Sequence, residues 1–155
     1  MKNHEEIKQL AYERLSEAEI LCSHGKYDGA FYLAGYSIEL MLKAKVCEHL
    51  GVDNLFDEKP QSVVYGVSEV RKSVKTHDIA VLIIFSGLRR KFEIDKSENK
   101  VLEQTNTRLF HDSGHCTWNE QIRYQSIGSQ NSVNVQRLIE LLQHKEGLLQ
   151  WIEKS

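Results

Sequence analysis

One segment limits the possible folds more than any other: residues 28–50 are apolar on nearly every face of a helix. The segment begins at Asp28, continues after Gly29 as AFYLAGYSIELMLKAKVCEHL and stops before Gly51. Asp28 is expected to cap the helix, because an aspartate side chain accepts hydrogen bonds from the first free N–H groups. A helix that is apolar on most sides must be surrounded by neighbours. The sequence therefore predicts a helical bundle with this segment at its centre.

The remaining apolar patterns supply those neighbours. Residues with helical spacing predict further helices over 4–23, 76–92, 98–110 and 133–153, and a weaker helical segment over 62–74. The helix over 76–92 is expected to start at Thr76 or Asp78 and to carry Arg89, Arg90 and Lys91 at its C-terminal end, where cations are favourable. Residues 52–62, which include Pro60, and residues 111–132 are expected to be loops. We therefore predict an all-α, up-and-down bundle of four to five helices in a single domain, 1–155.

Composition narrows the function classes. The chain has 155 residues and a net charge of −2, which argues against a surface that binds nucleic acid everywhere but leaves room for a local basic site. The three cysteines have no paired spacing and are expected to be reduced in a cytoplasmic protein. No apolar run is long enough to suggest a membrane span, and no motif calls for a cofactor.

Several segments together resemble the HEPN family, named for higher eukaryotes and prokaryotes nucleotide-binding domains. The resemblance lies in RLSEAEIL at 14–21, GKYDGAFYLAGYSIELMLKAKV at 25–46, THDIAVL at 76–82 and WNEQIRY at 118–124. It implies a compact helical bundle that often forms a homodimer. It also implies one of two roles, a metal-independent ribonuclease or a nucleotide-binding or interaction module without catalysis.

The family's ribonuclease motif has a match in this chain. The motif is an arginine, four to six residues and a histidine, and here Arg108 and His115 are separated by six residues. A histidine can move the proton of a 2′-hydroxyl and an arginine can stabilise charge on the phosphate. His111 is nearer to Arg108 and is expected to face the same side of a helix if the helix continues that far. Leu109 stands where active members usually carry a polar residue, and Asp112-Ser113-Gly114 is expected to break a helix.

A polar stripe on the central helix gives the second group of candidates. Tyr36, Glu39 and Lys43 lie on one face, and the carboxylate and ammonium stand in the favourable order for an ion pair. They are expected either to fix the helix register through an internal network or to form the wall of a nucleotide pocket with Lys43 on phosphate. We expect this stripe to face Arg123 and the loop after Arg108.

The segment WNEQIRY supplies further candidates. Arg123 is expected to point inward and pair with Glu39, which would explain a carboxylate on a buried helix. Alternatively, Arg123 binds phosphate while Trp118 or Tyr124 stacks on a base.

Three smaller groups of residues also have side chains that could bind a ligand. His77 is expected either to pack at a helix start beside Asp78 or to face the groove. The cations of residues 89–91 are expected either to meet RNA phosphates or to be solvated. The group His111, Asp112, His115 and Cys116 has poor spacing for zinc, so no metal is predicted.

Two functions remain open at this point. The first is a HEPN-like nucleotide- or RNA-binding protein without a working nuclease motif. The second is a metal-independent endoribonuclease toxin that uses Arg108 and His115 and is paired with a nucleotidyltransferase-like antitoxin. In either case the expected partners are a second copy of the chain and RNA or a nucleotide, without a membrane.

Overall fold

The computed structural model describes residues 3–57 and 66–155, and its elements in this part of the chain are helical. Eight α-helices and one 3-10 turn occur in the described ranges: α1 (His4–Ser23), α2 (Tyr27–Leu50), α3 (Val67–Val74), α4 (Ile79–Phe85), α5 (Arg89–Asp95), α6 (Lys100–Leu109), the 3-10 turn (Glu120–Tyr124), α7 (Ser132–Gln143) and α8 (Leu148–Lys154). The all-α class is confirmed. The predicted count of four to five helices is wrong, because two of the predicted helices are each broken into two and the weaker segment 62–74 contributes α3.

Helix α2 is the centre of the molecule, as its composition predicts. It packs against α1, α4, α7, α8 and the 3-10 turn. Every residue from Ser37 to Cys47 is buried, so this part of the helix has no solvent face. Burial of an apolar segment by neighbours on all sides is the main source of stability for such a helix.

The start of α2 differs from the prediction. The residue that precedes the helix is Lys26, and its side chain makes no capping hydrogen bond. Asp28 lies inside the first turn, where its carboxylate accepts hydrogen bonds from the N–H groups of Gly128 at 2.7 Å and Gln130 at 3.0 Å. The aspartate therefore ties a distant loop to the start of α2 instead of capping the helix.

The predicted helix over 76–92 is interrupted by Gly87. This residue has φ of 76°, and a Cβ placed on it would lie 2.6 Å from Cε1 of His49. A left-handed backbone next to another side chain is a place for glycine and ends a helix. Arg89, Arg90 and Lys91 consequently form the first turn of α5, so their predicted position at a helix C-terminus is wrong.

The last predicted helix is interrupted between α7 and α8. A Cβ on Gly147 would lie 2.1 Å from the carbonyl oxygen of Leu141, so the chain folds back closely on the end of α7. The shorter helix α8 then packs against both α2 and α7. Two helices, α7 and the shorter α8 with its buried Leu148, Leu149 and Ile152, replace the single amphipathic helix that the sequence predicts.

Other predictions hold. Helix α1 has the expected bounds, α6 lies within the predicted 98–110 and Asp78 caps α4 by accepting from the N–H of Ala80 at 2.9 Å. The predicted segment 62–74 is observed as α3 from Val67 onward, while residues 62–65 and the loop at Pro60 lie outside the described residues. The three cysteines are free. In the described ranges, no helix combines the length and the apolar character needed to cross a membrane.

Candidate functional site

Two residues of the polar stripe on α2, Glu39 and Lys43, belong to a polar network that is buried at Glu39 and reaches the surface at His77. Glu39 is fully buried, and its Oε1 accepts from Nζ of Lys43 at 2.7 Å and lies 2.9 Å from Nδ1 of His77. The other ring nitrogen of His77 lies 3.1 Å from Oε2 of Glu120. One histidine thus bridges two carboxylates and joins α2 to the 3-10 turn.

The surroundings of this network favour an internal role. The ammonium of Lys43 lies 5.5 Å from the centre of the Phe56 ring and its side chain is buried, so it is already engaged. Burial, and then the neighbouring Glu39 carboxylate, raise the pKa of Tyr36, so its hydroxyl stays protonated at neutral pH. The interpretation of the stripe as a network that fixes helix packing therefore gains support over that of a phosphate site at Lys43.

The predicted pair between Arg123 and Glu39 is not present. Arg123 instead donates from Nη1 to the hydroxyl of Tyr32 at 3.5 Å, and its guanidinium lies 5.0 Å from the centre of the Tyr124 ring. Tyr124 is 71% exposed, so the two side chains point outward rather than inward. The Oε1 atom of Glu39 is already held by Lys43 and His77, whereas its Oε2 is buried without a hydrogen-bond partner in the described part of the chain.

Trp118 is a structural residue. Its indole is buried, and Nε1 donates to the carbonyl oxygen of Tyr32 at 3.1 Å. The indole also lies directly against the backbone of Gly35 in α2. A ring held in this way cannot stack on a base without leaving the core, whereas Tyr124 is free to do so.

Arg108 lies at the edge of a cleft between the end of α6 and the start of α7, which we name the Arg108 cleft. Its volume is about 550 Å³. Nη1 of Arg108 donates to the carbonyl oxygen of Gln104 at 3.1 Å, and Nε is buried without a hydrogen-bond partner in the described part of the chain. The other lining residues are polar or apolar and include no acid and no histidine: Phe31, Thr107, Thr117, Ser129, Gln130, Asn131, Asn134, Val135 and Leu138.

The two histidines of the motif lie on a turn after α6. The helix ends at Leu109, Phe110 pairs with Cys116, and the N–H of His111 donates to the carbonyl oxygen of His115 at 2.8 Å. Both histidines are exposed. The prediction that His111 shares a helix face with Arg108 is wrong, because the backbone leaves the helix between the two residues.

His111 lines a different cleft, which we name the α5 cleft. This cleft has a volume of about 560 Å³ and lies between α5 and the turn after α6. Arg108 does not line it, His115 lines neither cleft, and Thr107 lines both. The lining residues of the α5 cleft are Ala80, Ile83, Arg89, Phe92, Glu93, Lys96, Asn106, Thr107, Phe110, His111, Asp112, Ser113 and Gly114.

Groups that could hold a metal are scarce in the described ranges. The one cluster with converging ligand atoms is His4, Glu5 and Glu48, and both carboxylate oxygens of Glu48 already bind lysines, Lys8 and Lys45. In the turn after α6, burial raises the pKa of Cys116 to about 11, which keeps the thiol protonated at neutral pH. Zinc binds the thiolate, so this turn is a poor zinc site.

Sequence patterns did not indicate most of the residues that line the Arg108 cleft. A run of polar residues directly before a helix is nevertheless a recognisable signal, and here it consists of Ser129, Gln130 and Asn131, with Asn134 in the first turn of α7. The fold and the site together define an all-α protein with a polar, arginine-bearing cleft. No family model, no curated protein and no solved structure matches the chain.

Proposed function

We propose that this protein binds a phosphate group of RNA or of a nucleotide in the Arg108 cleft without cleaving the ligand. The observation that carries the proposal is the lining of this cleft, which combines one arginine with hydroxyl and amide side chains and no acid. Phosphate oxygens accept hydrogen bonds from all of these groups, and arginine is the strongest donor among them.

The state of Arg108 supports the same proposal. Its Nε is buried without a hydrogen-bond partner in the described ranges. A buried donor without a partner costs about 1–3 kcal/mol, so such a group is expected where a ligand completes it. Because Nε is closed off from solvent in the free protein, a phosphate oxygen supplies the missing acceptor only if the Arg108 side chain shifts towards the cleft.

The positions of the histidines support the part of the proposal that the ligand is not cleaved. General acid–base catalysis needs the histidine within hydrogen-bond reach of the reacting hydroxyl. His111 lines the other cleft and His115 lines neither, so one chain supplies an arginine without a histidine at this site. The resemblance to the HEPN family also supports nucleotide binding and extends the proposal to a homodimer in the cytoplasm.

The test measures binding and cleavage separately. Binding of a fluorescent single-stranded RNA is measured by anisotropy across salt concentrations for the wild-type protein, Arg108→Met and Arg137→Met. Arg137 is the matched control because it lies nearby but pairs with Gln104 and Glu140 instead of lining the cleft. We expect Arg108→Met to weaken binding and to reduce the salt slope by about 0.7, the value for one phosphate contact to a single strand.

Cleavage is tested with the same protein and RNA in EDTA. We expect the RNA to remain intact. Cleavage that disappears in both Arg108→Met and His115→Ala contradicts the proposal and supports the alternative, an endoribonuclease toxin with a nucleotidyltransferase-like antitoxin. Equal RNA affinity of the wild type and Arg108→Met also contradicts it.

A further inference from the structure

The two clefts meet at one residue. Thr107 is exposed on α6 and lines both the Arg108 cleft and the α5 cleft. Each cleft has a volume of about 550 Å³, within the range of sites that hold one small ligand. A ligand that passes over Thr107 can therefore occupy both.

The α5 cleft contains its own cation. Arg89 is exposed and makes no side-chain hydrogen bond or ion pair in the described part of the chain, whereas Lys96 is paired with Glu93 at 2.7 Å. Arg89 also lies in the first turn of a helix, where a cation is unfavourable. An exposed guanidinium without a partner in the described residues is available to a phosphate, and Arg89 differs from the neighbouring Arg90 in lining the cleft.

The wall of this cleft is suited to a base. Phe92 and Phe110 lie with their ring centres 6.4 Å apart, and Phe110 is half-buried at the cleft surface. Aromatic surfaces bind bases by stacking regardless of sequence. The carboxylate of Asp112 on the rim opposes a phosphate but accepts a hydrogen bond from an exocyclic amino group of a base.

We infer that the two clefts form one site for a single strand of at least two nucleotides. One phosphate lies at Arg108, the strand crosses Thr107, and the next nucleotide places its phosphate at Arg89 and its base against Phe110. This inference rests on the proposed function, which supplies the first phosphate position. A mononucleotide fills only one of the two clefts.

The experiment compares AMP with the adenylate dinucleotide pApA in competition for a bound fluorescent RNA. We expect pApA to bind at least about tenfold more tightly than AMP, since the second nucleotide binds as part of a linked ligand. In Arg89→Ala the affinity for pApA should fall by more than the affinity for AMP, so that this difference disappears. In the matched control Arg90→Ala, an exposed arginine of the same turn that does not line the cleft, both affinities should remain.

The outcomes separate this inference from the proposed function. Equal affinities for AMP and pApA in the wild type, or an equal loss of both in Arg89→Ala, overturn the inference. If AMP binds and Arg108→Met abolishes its binding, the proposed function survives that result. Failure of the wild type to bind either ligand overturns both. The deoxyribose dinucleotide is the last arm, and its binding with the same dependence on Arg89 supports the inference and extends it to single-stranded DNA.

Discussion

Trp118 lies directly against Gly35, at a distance that leaves no room for a side chain on the glycine. A Cβ at position 35 would be 2.2 Å from both Cδ1 and Nε1 of the indole. The indole is itself held in place by its hydrogen bond to Tyr32. This contact fixes the segment before the 3-10 turn onto α2 and thereby positions the loop that leads to the Arg108 cleft.

Gly35→Ala is therefore expected to destabilise the protein. Alanine is the better helix former by about 1 kcal/mol, but overpacking a rigid core typically costs about 1–3 kcal/mol and the indole cannot move without losing its hydrogen bond. We expect a net loss of up to about 2 kcal/mol, measured by urea unfolding followed by circular dichroism. Gly29→Ala in the same helix is the control, because its Cβ would meet only the flexible end of Leu21 at 3.2 Å. Equal effects of the two substitutions would contradict the assigned role of Trp118.

The pair of Glu39 and Lys43 supports a second prediction. Lys43→Met leaves the buried carboxylate with His77 as its remaining partner, and breaking a buried ion pair costs about 3–5 kcal/mol. We expect the double substitution Glu39→Leu with Lys43→Met to recover most of that loss, since apolar replacements remove both charges from the core. Lys45→Met is the control, because Lys45 pairs with a partly exposed Glu48. Unfolding free energies that simply add in the double variant would show that the pair does not interact.

A third prediction concerns pH. Burial raises the pKa of Cys47 to about 11, from 9.0 in the unfolded chain. The folded state therefore holds this proton more tightly, so the contribution is complete below pH 9 and is lost as pH rises towards 11. The loss is on the order of 2 kcal/mol at the upper end.

The substitution Cys47→Ala removes the thiol and so isolates its contribution to the pH dependence of the free energy of unfolding. Its unfolding free energy should fall less between pH 8 and pH 11 than that of the wild type, by about 2 kcal/mol, because lysines and tyrosines titrate equally in both proteins. The measurement is a series of urea unfolding curves in the two buffers. Parallel pH profiles for the two proteins would be inconsistent with a buried, protonated thiol.

The central helix, its burial and the all-α class could be predicted from the sequence because α2 is apolar on nearly every side. The interruptions of two predicted helices, at Gly87 and Gly147, could not be predicted as easily. Gly87 was visible in a helical pattern, but the close approach of His49 that makes glycine necessary comes from a helix almost forty positions earlier. The same holds for Gly147, whose neighbour is a backbone oxygen.

The candidate site shows the same limit. Glu39 and Lys43 are four residues apart on one helix, so their pairing could be predicted from spacing. The choice between Arg123 and His77 as the second partner of Glu39 depends on how the 3-10 turn packs on α2, which no local pattern encodes. His111 and Arg108 are close in sequence, yet the end of α6 at Leu109 sends them to different clefts.

The last prediction joins stability to function at Arg108. Because Nε is buried without a partner in the described ranges, the guanidinium carries an uncompensated desolvation cost in the free protein. Arg108→Met keeps the aliphatic packing and removes that cost, although it also removes the hydrogen bond to Gln104. We expect the unfolding free energy to change by less than about 1 kcal/mol in either direction, while RNA affinity falls. Arg137→Met should show the reverse, a loss of stability from its bonds to Gln104 and Glu140 with RNA affinity retained. If Arg108→Met unfolds the protein, Arg108 is a structural residue. Its buried Nε then no longer supports the proposal that a ligand binds in the cleft.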